Sequence, residues 1–471
     1  MIKNMTSGSP ARLILTFSLP ILIGNLFQQL YNISDTIIVG RLIGIDALAA
    51  VGATGPIFFF FLMIAFGFTS GLTVITAQRF GAGDKEGIRN SVTHCFVAST
   101  ALSAFISLFL ILFLKPLLRL MNVPENIMAD AYNFMLILGG GTVLLVFYNL
   151  LSGFIRALGD SKTPLYFLML STVLNIMFNL LLIYHFKLGV VGSALGTIIA
   201  VSIAVVLCLW YIYIKFPILR LKKHNLKISA KMMKEHLDVA VPMALQASVI
   251  SVSIMIVQSV CNSFGASVIA AFTSALRIEQ VATQPLLALG IAIATYSAQN
   301  WGAGKLTRIR QGVRIAGLAS LIISILMSVA VRYVGSDMIS IFMKEPDPEI
   351  INIGHKYLQI STLFYFFLGM IFVFRNSLQG MGNGKIPLLA CVTELGMRSF
   401  ASIYLASIIG YTGLFYAGPI AWLGAATVAM IGYVYTIRHI KTSYVKDYFK
   451  KNQYKLKASA SVDGINQTPG E

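Results

Sequence analysis

Four stretches of this chain, 47–78, 188–214, 239–276 and 399–437, contain no Asp, Glu, Lys or Arg. A helix needs roughly 20 apolar residues to cross the hydrocarbon core of a bilayer. Each stretch therefore holds a membrane span, and the two longest hold more than one span or a span plus an uncharged loop. The whole chain is 57% hydrophobic and 11% charged, where soluble domains carry roughly 25% charged residues. That excludes soluble, disordered and collagen-like classes. Four cysteines in 471 residues exclude a disulfide scaffold. An outer-membrane barrel would alternate apolar and polar residues in short segments instead. The fold class that remains is an all-α polytopic membrane protein.

Breaks at Gly, Pro and charge clusters place twelve spans near 13–37, 46–76, 91–113, 130–155, 164–184, 189–213, 236–261, 268–298, 312–334, 355–377, 386–408 and 413–438, the second and eighth overlong. With an even number of spans both termini share one side. That side and its loops hold 27 of the 36 Lys and Arg, among them Arg79, Lys85, Arg156, Lys222, Lys231, Arg308, Arg375 and Lys385; the opposite side holds seven. Cationic loops stay on the cytoplasmic side, so both termini are expected there, in a multi-pass cell-membrane protein. The net charge of +18 is thus a topology signal, and no nucleic-acid partner is expected.

No small-residue cleavage site follows the first apolar run, so a cleaved secretory signal is not expected. Cys95, Cys208, Cys261 and Cys391 stand singly in spans and read as packing residues. The six histidines fall near span ends or in loops. No Walker loop, nucleophile elbow or zinc motif is present, so neither an enzyme nor a cofactor beyond a coupling ion is expected.

The chain repeats itself. Gly44-Ile45-Asp46-Ala47-Leu48-Ala49-Ala50 matches residues 265–271 at an offset of 221, and so does Ala77-Gln78-Arg79-Phe80-Gly81-Ala82-Gly83 with residues 298–304. Gly159-Asp160-Ser161-Lys162-Thr163-Pro164 matches residues 382–387 at 223, and Pro20 aligns with Pro242. The domains are accordingly an N-lobe (1–214), a basic cytoplasmic linker (215–235), a C-lobe (236–440) and a polar, disordered tail (441–471). Six spans per half is an even number, so both halves enter from the same side and are parallel repeats about an axis along the membrane normal. Two similar bundles flanking a cleft is a transporter plan. The glycines in the matched loops read as tight turns.

A charge at the bilayer centre costs on the order of 2.5–3.5 kcal/mol even on permissive scales. Asp35, set among Ile33, Ile37, Ile38 and Val39, is therefore a functional candidate, able to hold a proton or Na⁺. The bland alternative is an Asp near the helix end that pairs with Arg41. Gln28, Tyr31 and Asp35 fall on one face of the span, and Pro20 should bend it one turn below. Asn175 and Asn179 on the fifth span, with Ser193 and Thr197 on the sixth, supply neutral oxygens suited to a hard cation. Ser193 by itself reads as packing glue. Gly192 and Gly196 allow close helix approach. The second half has no carboxylate at the Asp35 position. It carries Arg277 and Glu279, which cannot face each other, and Glu394 and Arg398, which can pair at i, i+4; structural ion pairing and a second coupling site both stay open.

In order along the chain, these features resemble the multidrug and toxic compound extrusion (MATE) family. The carrying residues are Pro20…Gln28-x-x-Tyr31-Asn32-x-x-Asp35, the Gln-x-x-Gly-Ala-Gly loops at 78–83 and 299–304, the Gly-x-x-Lys-x-Pro loops at 159–164 and 382–387, and Arg277-Ile278-Glu279-Gln280. The resemblance implies export of bulky, often cationic organic compounds in exchange for H⁺ or Na⁺, by a monomer surrounded by lipid. It implies a coupling-cation site at Asp35 with partners Asn175, Asn179 and Thr197, a bend at Pro20, and an N-lobe cavity lined by Gln28, Tyr31 and Asn149. Glu279 carries over more weakly to the C-lobe. Related members often have Asp where this chain has Asn179, which leaves cation preference and stoichiometry open. A lipid or lipid-linked oligosaccharide flippase on a similar frame is the alternative; it would need cationic residues free in the cleft, whereas Arg277 and Arg398 each stand near a Glu.

Overall fold

Each charge-free run becomes one or two long helices in the computed structural model, which describes residues 4–343 and 347–439. The tail expected over 441–471 lies outside the described residues. The helices are α1 Pro10–Leu42, α2 Ile45–Gly81, α3 Lys85–Leu120, α4 Glu125–Gly140, α5 Thr142–Ala157, α6 Lys162–Leu180 and α7 Gly189–Lys215, then α8 Ala230–Asn262, α9 Ala266–Ala282, α10 Gln284–Gly302, α11 Leu306–Ser340, α12 Pro348–Leu363, α13 Tyr365–Gly380, α14 Lys385–Ile409 and α15 Tyr411–His439. A π-helical turn, Leu181–His185, extends α6. Among the described residues there is no strand.

Ten spans are continuous and two are bent pairs, α4 with α5 at 43° and α12 with α13 at 48°, making up to twelve. All twelve expected spans fall within these elements, and the second and eighth are the 37-residue Ile45–Gly81 and Ala266–Gly302. Two differences have physical causes. Several helices run past the hydrocarbon; α3 starts at Lys85, not near 91, because Asp84 caps it, accepting from the Gly87 amide at 2.9 Å. The span expected unbroken over 130–155 is broken at Gly141, where a Cβ would run into Ile198 of α7.

The repeat is visible in the turns. Gly83 and Gly304 have φ of 70° and 66°, and Gly159 and Gly382 have 89° and 86°, left-handed values that glycine adopts without steric cost.

Among the described residues, the hydrophobic clusters that join the two bundles, α1–α7 and α8–α15, lie in the half that carries the N-terminal segment and the basic linker, here the basic face. Three hydrophobic clusters join them there. Met5, Ile14, Phe17 and Ile21 pack with Ile293, Tyr296 and Ile309. Phe68 and Leu72 pack with Ala240 and Ala244, and Ala77 and Ala157 with Val239 and Ala298. Gly71 makes this possible, because a Cβ on it would lie 2.5 Å from the Ala240 Cα. Toward the opposite face the clusters stay within one bundle: Val39, Ala47, Phe134 and Ala194 in the first, Val268, Phe272, Tyr357 and Phe415 in the second.

Helix α1 belongs to both bundles. Ile14, Phe17 and Ile21 pack on the second, whereas Gly24 faces α6, where an added Cβ would lie 3.7 and 3.6 Å from the Leu165 and Leu168 side chains. Pro20 lies where its company changes, and the helix continues through it.

Candidate cation site

Above that switch, α1, α6 and α7 bring one carboxylate and a set of neutral polar groups together. Asp35 Oδ1 accepts from Asn179 Nδ2 at 2.6 Å and from the Ser193 hydroxyl at 3.1 Å. Asn179 Nδ2 also lies 3.4 Å from Asn175 Oδ1. Asn175 Nδ2 donates to Thr197 Oγ1 at 3.1 Å, and the Tyr31 hydroxyl donates to the same oxygen at 3.1 Å. Asn175, Asn179 and Ser193 are fully buried and Thr197 nearly so. The i, i+4 spacing of both polar pairs explains the array: each pair projects from one helix face, and those faces meet α1.

Charge dictates which way Asn179 points. Its amide nitrogen must face the carboxylate, since the carbonyl oxygen would repel it. That leaves Asn179 Oδ1 buried without a hydrogen-bond partner, directed at Gly196, where a Cβ would collide with it. Gly192 likewise lets α7 approach the backbone of Leu182 in the π-helical turn to within 3.2 Å of an added Cβ. The two glycines thus seat α6 on α7 at the depth of Asp35. Arg41 forms no ion pair with Asp35, whose hydrogen-bond partners Asn179 and Ser193 are neutral. Among the described residues no three His, Cys, Asp or Glu cluster. A cation here would rest on one carboxylate and neutral oxygens.

The structure thus brings Asp35, Tyr31, Asn175, Asn179 and Thr197 into one network. Ser193, read as packing glue, bonds the carboxylate itself. Gln28 is exposed and takes no part in the network, and Asn149 spends an amide proton on the Leu145 carbonyl of its own helix at 3.0 Å.

The second bundle solves its polar burden differently. Arg398 Nη2 meets Glu394 Oε1 at 2.6 Å along α14, the pairing expected from their spacing. Glu279 Oε2 accepts from the Tyr357 hydroxyl of α12 at 2.9 Å, a partner that spacing could not reveal because it comes from another helix. Arg277 is exposed and joins neither group. Arg375, counted with the loop cations, instead lies within α13, directed at Cys391 Sγ at 3.4 Å and over the Phe372 ring.

The family model described as MatE matches this chain twice, over residues 20–181 and 242–403. The chain is 29% identical over 437 residues to a probable multidrug resistance protein, YpnP, of Bacillus subtilis, covering 92% of this chain and 96% of that protein. It is 24% identical to an FAD transporter of Shewanella oneidensis, over 88% and 93% of the two chains. Among solved structures, a MOP superfamily transporter from Pyrococcus furiosus superposes with a TM-score of 0.86 at 24% identity, covering 92% of this chain and 97% of that one.

Proposed function

The chain belongs to the MatE family, and on that premise we propose that it is a secondary multidrug efflux transporter of the cell membrane, with both termini cytoplasmic. It exports organic compounds, cations among them, in antiport with H⁺ or Na⁺ by alternating access. The observation that carries this reading is Asp35, a carboxylate held at membrane depth by neutral groups alone. The name of the Bacillus relative agrees with the substrate class.

The chemistry of exchange follows from the network. An ionised Asp35 accepts from Asn179 and Ser193. A protonated Asp35 has a hydrogen to donate, which reverses what it needs from Asn179: the amide turns and its orphaned Oδ1 becomes the acceptor. Na⁺ makes the same demand, drawing amide and hydroxyl oxygens toward itself. Either cation thereby rearranges the contact of α1 with α6 and α7. Because the other end of α1 is packed on the second bundle, the rearrangement reaches the joint between lobes. An organic cation entering beside Tyr31 competes for the same carboxylate, and that competition is antiport.

The energetics suffice. One charge crossing 100 mV supplies about 2.3 kcal/mol, roughly a fiftyfold gradient. If one H⁺ exchanges for one monovalent cation, no net charge moves and only the pH gradient drives export. A lipid flippase would need several free cations in the cleft, but Arg398 is bound to Glu394 and Arg375 is turned to Cys391, which leaves the exposed Arg277 for that role.

Ethidium transport by everted vesicles tests the reading, with pH and Na⁺ gradients imposed in turn. Transport that follows one gradient names the coupling ion. No transport under either, with folded protein in the membrane, rejects the assignment.

A further inference from the structure

The matched loops do more than turn the chain. Gln78, near the end of α2, donates from Nε2 to the carbonyl of Gly380, the last residue of α13, at 2.8 Å. Gln299, near the end of α10, donates from Nε2 to the carbonyl of Ala157, the last residue of α5, also at 2.8 Å. Each glutamine thus reaches from its own lobe into the other, and the two bonds are related by the internal repeat. Their surroundings are reciprocal too. A Cβ on Gly81 would strike the Gln299 carbonyl, and a Cβ on Gly302 would strike the Gln78 carbonyl. Both glutamines are buried, at 5% and 0% exposure.

A strap lies over one of them. Met5, fully buried, donates its amide to Gln299 Oε1 at 2.8 Å, and its carbonyl accepts from Asn300 Nδ2 at 3.1 Å and Arg308 Nη2 at 3.2 Å. The Thr6 carbonyl accepts from Lys305 Nζ at 2.8 Å and that of Gly8 from Arg308 Nη2 at 3.0 Å. On the other lobe the linker occupies the corresponding place, with the Ser229 amide on His94 Nε2 at 2.9 Å and Asn225 Nδ2 on Asn90 Oδ1 at 2.8 Å.

We propose that Gln78 and Gln299 are the two bolts of a cytoplasmic gate, and that residues 4–9 strap it closed. This rests on the alternating-access reading above and adds to it the residues that hold one end shut. The bonds suit a joint that must open. They are neutral amide-to-carbonyl bonds whose partners can turn to water when the lobes part, so the net difference per bond is small. They form only when both lobes are in register, because the glycines beside them admit the opposite backbone and nothing larger. The strap attaches through main-chain carbonyls to Asn300, Lys305 and Arg308, all on the second lobe, so it ties α1 to the face it must leave when the gate opens.

The test reads the gate without a transport assay. The four native cysteines are replaced by Ala and one cysteine is placed at Ala298, which is 1% exposed in the joint. Labelling by a membrane-impermeant maleimide is then timed in everted vesicles, where the cytoplasmic face is outward. Slow labelling is expected in the parent. Gln78→Ala and Gln299→Ala should each accelerate it roughly five- to tenfold, as the loss of one such bond predicts, and the pair should do more. Arg308→Ala, half-buried and touching the strap, Asn300 and the Tyr296 ring, should give a smaller rise and keeps the test open if a glutamine variant fails to fold. Detergent size exclusion establishes folding. Unchanged labelling in folded variants overturns the proposal. If ethidium or the coupling ion still accelerates labelling of the parent, alternating access stands and the bolts lie elsewhere. If no variant, ion or substrate ever does, that reading falls with it.

Discussion

The two lobes match the same family model yet hold their carboxylates within the spans differently. In the first, Asp35 is surrounded by Asn179 and Ser193, and no cation of the protein cancels it. In the second, Glu394 is cancelled by Arg398 one turn away at 2.6 Å, and Glu279 is tied to Tyr357. A carboxylate whose counter-charge is covalently part of the chain has no need of an ion from solution. A carboxylate with only neutral partners does. Glu279, whose partner Tyr357 is also neutral, meets that description too, so the contrast sets Asp35 and Glu279 apart from Glu394. The larger polar network around Asp35 makes the first lobe the place to test exchange first.

The largest effect expected is from Asp35→Asn, which should abolish gradient-driven ethidium export while leaving the detergent-solubilised protein monodisperse. Loss of folded protein would instead make Asp35 structural. The second lobe offers the sharpest way to break the contrast. Removing one partner of a buried pair typically costs about 3–5 kcal/mol, so Arg398→Met should lower the melting temperature markedly. Glu394→Met with Arg398→Met should recover most of it and retain export. Export lost in a stable double variant would make that pair a coupling site and end the distinction.

Three further substitutions sharpen the account within the first lobe. Asn179→Ala and Gly196→Ala should share one phenotype, since the first deletes the amide facing Asp35 and the second displaces it. Each removes a hydrogen bond to a charged group, about 1.5–3 kcal/mol, and export should slow by at least tenfold at limiting gradient. Ser193→Ala deletes a longer bond and should cost about 1 kcal/mol, a severalfold loss of apparent coupling-ion affinity. Equal effects of Ser193→Ala and Asn179→Ala would contradict the ranking drawn from 3.1 and 2.6 Å.

Much of this was legible in the residues because membranes punish charge. The twelve spans follow from charge-free runs, and Asp35, Asn175, Asn179 and Thr197 stood out as polar groups in apolar helices with helical spacing. What escaped depends on which helix lies beside which. Ser193 looked like any small interhelical donor until α7 was seated on α1. Tyr357 could be matched to Glu279 only once α9 and α12 were packed together. Arg375 sits near a loop in the chain but inside α13 in space. Gln78 and Gln299 were visible as a repeat, but the carbonyls they meet are set by the crossing of the lobes. The break at Phe364 between α12 and α13 carries no Gly or Pro to announce it.

The central claim is that the coupling cation exchanges at Asp35. It is tested most directly in weakly buffered detergent solution by adding ethidium to purified protein, while following proton release and, in parallel, displacement of bound ²²Na⁺. The account predicts release of one cation species from the parent and none from Asp35→Asn of equal monodispersity. Equal release from both proteins would contradict it and move the exchange site away from the first lobe's network.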